Sequence, residues 1–194
     1  MIKADEIAEK KPNPQGKGLV PVLAALNDAN QRIVALPKHV QQISNELFTS
    51  MFVLESCFGF KPVVGRSYWL YRNDERFSLS LLEPGQWSAT VYGQYIGACE
   101  VHDDLTWTLT LSEQALRDEV LMAEIAQRRQ QFEQTLQSAE AVDDLLPVFK
   151  EELPFYQRVF ASALAGSLGA SMQASGINGL SYDEAMGLLT VKQP

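Results

Sequence analysis

From Val22 onward, apolar residues recur every three or four positions: Val22, Leu26, Ala29, Ile33, Leu36, Val40, Ile43, Leu47, Met51 and Leu54. That spacing lines one side of an α-helix and approaches a heptad. Pro37 interrupts the run. Inside a helix, proline removes a hydrogen bond and crowds the preceding turn, whereas the first helical position tolerates it. The pattern therefore predicts two helices, about 20–35 and 37–58, with one helix kinked at Pro37 as the alternative. Gly59, Pro62 and Gly65 close the helical region.

The period then changes from helical to alternating. Ser67–Arg72 and Arg76–Leu82 are rich in aromatic and apolar residues, with Asn73–Glu75 between them. Phe77, Leu79 and Leu81 alternate with Ser78 and Ser80, as on a half-buried strand, so this stretch predicts a hairpin. A third strand is expected over Tyr95–Val101, and Trp107–Leu111 is either a fourth or the lead into a helix. Ser112 suits a helix cap, with Glu113 favourable in the first turn. Leu121, Ile125, Phe132 and Leu136 keep one helical stripe to about Gln137. The other face is assigned Arg117, Asp118, Arg128, Arg129 and Gln130. Pro147 and Pro154 interrupt the next stretch of chain. Phe155–Gln173 reads as a tightly packed helix of small residues, broken at Gly176 and Gly179. Ser181 and Glu184 have capping-box spacing for a last helix.

The fold class is thus α+β: N-terminal helices, a short antiparallel β-meander, then C-terminal helices. Three parts are expected: a flexible arm over 1–18, an α+β core domain over 19–140, and a C-terminal helical extension over 141–194 packed on the core. The core should hold Ile43, Leu47, Met51, Leu70, Leu79, Leu81 and Ile125.

Composition narrows the function more than the fold. The 194-residue chain carries a formal net charge of -8. Such a chain repels phosphate backbones, which argues against general nucleic-acid binding. The polar N-terminus has no apolar signal core, and no apolar run is long enough to span a bilayer, so no membrane association and a cytoplasmic location are expected. Cys57 and Cys99 have no metal-site spacing and read as two buried free thiols.

Three motifs suggest chemistry, and none is complete. Asn13–Gly18 resembles a phosphate loop, but Lys11 stands where a glycine is needed and Gly18 where a Ser or Thr is needed. Cys99 with His102 suggests a thiol nucleophile and its base, yet residues three apart on a strand point to opposite faces. His39, His102, Asp103 and Asp104 do not fix a metal spacing. No cofactor and no metal are expected, and an enzyme is not favoured. The remaining signal is aromatic: Tyr68, Trp69, Tyr71, Trp87, Tyr92, Tyr95 and Trp107, interleaved with Arg66, Arg72 and Arg76. These residues either fill a small core or present a recognition surface.

The order Ser67-Tyr-Trp-Leu-Tyr-Arg72, Phe77–Leu82, Pro84-Gly-Gln-Trp87, Tyr95–Ala98 and Asp104-Leu-Thr-Trp107 resembles the domain of unknown function 2452 family, which occurs in bacteria and animals. The resemblance is best over about 66–107 and looser, in pattern only, over 20–58. His102 is not part of it, and residues after about 140 have no counterpart. It implies the same organisation and supplies no reaction.

Two functional readings compete. The first is a non-catalytic binding or assembly module that uses its helical faces and aromatic meander, self-associates as a dimer and takes a protein partner. The second is an enzyme or small-anion- or metabolite-binding protein with a site on the meander formed by Tyr71, Arg72, Trp87, Asp104 and Trp107. There Arg72 would hold an anionic group and Asp104 would act as acid or base. The two separate on whether those five residues converge on an open concavity.

Overall fold

The computed structural model describes residues 35–86, 93–148 and 150–190. The expected arm over 1–18 and helix over 20–35 lie outside these residues, as does Trp87. The first described helix, α1, spans Val40–Leu54, shorter at both ends than the predicted 37–58. Both ends have a tertiary cause. At the start, the Lys38 N–H donates to Ser175 Oγ and the Ser175 hydroxyl lies against the Lys38 carbonyl, each at 2.8 Å. That exchange ties Lys38 to the last residue of a later helix, Pro37 lies outside α1, and His39, extended, is its N-cap residue. At the end, Cys57 leaves to pair with a strand edge: its N–H bonds the Phe77 carbonyl and its carbonyl accepts from Leu79.

Four strands come next: β1 Ser67–Asn73, β2 Arg76–Ser80, β3 Gln94–Val101 and β4 Trp107–Leu111. The β1–β2 hairpin turns through Asp74-Glu75, with Asp74 at φ 53°, a conformation Asp adopts more readily than most residues. All pairings are antiparallel, in the order β2-β1-β3-β4. Only the two hairpins are sequential neighbours; β3 returns to β1 rather than β2. Directly opposed residues share a face. The helix-covered face therefore carries Tyr68, Leu70 and Arg72 with Leu79, Phe77, Cys99, Val101 and Trp107. The opposite face carries Trp69, Tyr71, Ser78, Ser80, Ala98, Glu100, Thr108 and Thr110. The register shifts between Leu70 and Tyr71, where Leu70 faces Gly97 but Tyr71 faces Tyr95. That bulge at Ile96 places Tyr71 against Tyr95, rings 5.7 Å apart.

The helix expected after β4 is two helices, α2 Glu113–Arg117 and α3 Glu119–Ser138. Ser112 caps α2, as expected, accepting from the Ala115 N–H. Asp118 breaks the run: it is extended, its N–H closes α2 on the Ala115 carbonyl, and its carboxylate caps α3 through the Leu121 N–H. After a 3-10 turn at Val142–Leu145 come α4 Phe155–Ser175 and α5 Tyr182–Thr190. Gly176, at φ 72°, ends α4 in the left-handed conformation glycine favours. The expected capping box joins Ser181 and Glu184.

One apolar cluster joins α1, the sheet, α4 and α5, with Ile43, Leu47, Leu70, Leu79, Phe160, Leu164 and Met172 inside it. Met51 and Ile125 only border it. Leu81 is 40% exposed: β2 ends at Ser80, so the alternation that selected Leu81 does not continue to it. Cys57 is likewise exposed, because its backbone is spent on the sheet edge and its side chain turns outward.

Candidate functional site

The five residues chosen from sequence do not meet in one place. Arg72 opposes Gln94 at the start of β3, while Asp104 lies beyond Val101, past the strand's other end. Tyr71 is buried on the opposite face from Arg72, and its hydroxyl donates to the Leu82 carbonyl at 2.9 Å. Trp107 is 1% exposed, packs against Tyr68 at 5.6 Å, and its backbone N–H donates to Ser50 Oγ. It is a core residue, and its indole Nε1 has no hydrogen-bond partner.

Asp104 belongs to a clasp at the β3–β4 turn. One oxygen accepts from the Thr106 N–H and hydroxyl, at 3.1 and 2.6 Å. The other accepts from Lys38 Nζ at 2.6 Å, and Lys38 also reaches Glu46 at 2.6 Å. Burial opposes charge on both partners, yet the hydrogen bonds prevail. They hold the Asp104 carboxyl below its usual range and raise the Lys38 ammonium above its own. The turn also carries Leu105 at φ 66°, a strained conformation for leucine, with its side chain 1% exposed. Burial of that side chain and the Asp104 clasp keep the turn closed.

Arg72 belongs to a second cluster about α3. Its guanidinium donates to Glu124 at 2.8 Å, and Arg128 donates to the other oxygen of the same carboxylate at 2.8 Å. Both guanidiniums lie over the Phe77 ring, at 5.9 and 5.2 Å, and Arg128 also lies over Phe52 at 5.5 Å. Arg129 covers Phe48 at 5.3 Å and bonds Asn45. Arg128 and Arg129, assigned from sequence to the outward face, therefore point at the body of the protein. The i,i+4 spacing of Glu124 and Arg128 was the signal available for this cluster. Nothing in the sequence pointed to Lys38, which joins Glu46 to Asp104, 66 residues beyond Lys38 itself.

The Cys99–His102 pair is not assembled. Cys99 faces the helices, and burial pushes its thiol up to about 12. His102 Nε2 instead lies 3.0 Å from Thr108 Oγ1. Among the described residues no three His, Cys, Asp or Glu side chains come together as metal ligands, and no helix is long and apolar enough to cross a membrane. One open groove of about 420 Å3 runs beside His39, Gln41, Gln42, Asn45 and Glu46 on α1.

Fold and side-chain placement define an α+β protein in which a four-stranded antiparallel sheet is covered by helices on one face, with Arg72 paired to Glu124 and Asp104 to Lys38. A family model described as "Protein of unknown function (DUF2452)" matches residues 24–131. That is more than half the chain, which belongs to this family. Comparison with curated proteins and with solved structures returned no match.

Proposed function

We propose that this chain is a non-catalytic binding or assembly module of the cytoplasm, acting as a dimer and toward a protein partner. One observation supports it above others. The two charged residues best suited to chemistry, Arg72 and Asp104, lie at opposite ends of the sheet, each already engaged by side chains of this chain. A catalytic site needs its acid, base and binding groups within reach of one substrate. Surface for association remains: Leu116 and Val120 stand 56% and 71% exposed on either side of the α2–α3 junction, and Trp69 and Tyr95 are half-buried on the sheet face away from Arg72. Light scattering behind a sizing column tests the reading. A mass of two chains that falls on dilution is expected; a strictly monomeric mass at high micromolar concentration removes the dimer.

A second reading, a small-anion site at Arg72, draws on one feature: Arg72 Nε is buried without a partner. A thermal-shift screen of anionic metabolites separates the two. A ligand at 100 times its Kd adds about 2.7 kcal/mol of stability. If such a ligand is found and Arg72→Ala weakens it tenfold, about 1.4 kcal/mol, the anion reading replaces the first.

A further inference from the structure

We propose that α3 is a reversibly docked helix, anchored by a buried leucine near each end and held between them mainly by arginines and rings, and that it lifts to bare an aromatic groove. The groove is lined by Phe48 and Phe52 of α1 and by Arg72 and Phe77 of the sheet. This goes beyond the binding reading above and holds whether or not the chain dimerises.

The burial pattern carries the inference. α1 buries Val40, Ile43, Leu47, Phe52, Val53 and Leu54, and α4 buries Phe160, Leu164, Leu168 and Met172. Along its twenty residues α3 buries only Leu121 and Leu136, near its two ends. Between them Met122, Ile125 and Phe132 are half-buried, the last two against the core, and the named ties beyond these are polar or cationic. Glu124 takes Arg72, Arg128 lies over Phe52 and Phe77, Arg129 lies over Phe48 and bonds Asn45, and the Phe132 ring stands 5.7 Å from Phe48. Long side chains thus bridge a space that apolar residues fill beneath the other long helices. Partly exposed ion pairs contribute little and are screened by salt, whereas apolar burial is not.

The flanks suit such a motion. Asp118 and Ala139, on either side of α3, are both extended, with ψ 97° and 145°. Asp118 closes α2 through its N–H and caps α3 through its carboxylate, so it is the pivot about which α3 can swing with both helices intact. Once lifted, α3 keeps its internal pairs Glu124–Arg128 and Arg129–Glu133. Most of a helix's stability in a protein comes from its tertiary packing, so its amides exchange while it is away. It leaves behind a row of phenylalanines ending in an arginine. That surface fits an amphipathic helix that offers a carboxylate to Arg72 and, two turns later, an apolar ring to Phe48, as Glu124 and Phe132 of α3 do.

Hydrogen exchange of the full chain, followed by mass spectrometry, tests the proposal. Peptides from residues 119–138 should exchange at least tenfold faster than those from α1 and β3. The difference should widen severalfold between 0.05 and 1 M sodium chloride, and again in Glu124→Gln. Equal protection of α3 and β3, or salt acting equally on all segments, overturns it. A thiol reporter gives an independent readout: in a Cys57→Ser, Leu136→Cys chain, Leu136→Cys should react with a disulfide reagent at least tenfold faster than Cys99. Equal rates at the two thiols would also overturn it.

Discussion

At the scale of single residues, the groups that looked most chemical have structural work to do. Cys99 is buried and its thiol is pushed up to about 12, while Cys57 is exposed. Alkylation of the native protein at pH 8 should therefore modify Cys57 alone, with Cys99 reacting only after denaturation; mass spectrometry of the intact chain counts the labels. The Asp104–Lys38 pair makes a second prediction. The Asp104 pKa is lowered in the folded chain, so its contribution is complete above the unfolded value and is lost as pH falls through the folded one. The Lys38 pKa is raised, so its contribution is complete below the ordinary lysine range and is lost as pH rises beyond it. Between those limits the clasp should be independent of pH. Asp104→Asn should cost about 1.5–3 kcal/mol at neutral pH, the range for hydrogen bonds to charged groups. It should also flatten the loss of stability below about pH 4, the ordinary aspartate range. Urea titrations at several pH values check both; an unchanged acid limb would show that the clasp does not govern it.

At the scale of elements, periodicity found the strands and helices, and tertiary bonds decided where they stop. α1 loses residues at both ends, to Ser175 and to the Phe77 edge, and neither partner is near in sequence. The break at Asp118 follows from a good N-cap residue inside a helical stripe. The stripe was visible in the sequence, but the choice between continuing and restarting was not. Gly97 belongs to the family pattern, and the sheet accounts for it. A β-carbon there would clash with the Thr110 carbonyl oxygen, on the neighbouring strand. Gly97→Ala should thus push β3 from β4 and destabilise by about 1–3 kcal/mol or more, the usual range for overpacking. A thermal midpoint within a degree of the unaltered protein would show that the strands can part without cost.

At the scale of the whole molecule, the C-terminal helices share their core with the N-terminal ones. Phe160, Leu164, Leu168, Met172, Ile177 and Ala185 sit in the cluster that holds Val40, Ile43 and Leu47, and Ser175 ties back to Lys38. A chain ending at residue 140 would expose the α1 face that α4 covers. Each large apolar side chain left exposed forfeits about 1.5–3 kcal/mol, against a total stability of only about 5–15 kcal/mol for an ordinary domain. The truncated chain should therefore lack a cooperative unfolding transition in near-ultraviolet circular dichroism; a sharp transition would make residues 141–194 a separable extension.

The sequence by itself determined the α+β class, the first three strands, the caps at Ser112 and Ser181 and the family, because each is written in local period, in cap and turn residues, or in the order of rare residue types, while it left Trp107–Leu111 open between a strand and the lead into a helix. It also identified Arg72, Asp104, Cys99 and the aromatic residues as the chemically interesting positions. Only the tertiary structure decided what those positions do. Arg72 meets Glu124 and Asp104 meets Lys38 across 52 and 66 residues of chain, and no periodicity reports a pairing at that distance. The strand order has the same origin: β3 could join either β2 or β1, and burial of Tyr68 and Leu70 against Cys99 and Gly97 placed it beside β1.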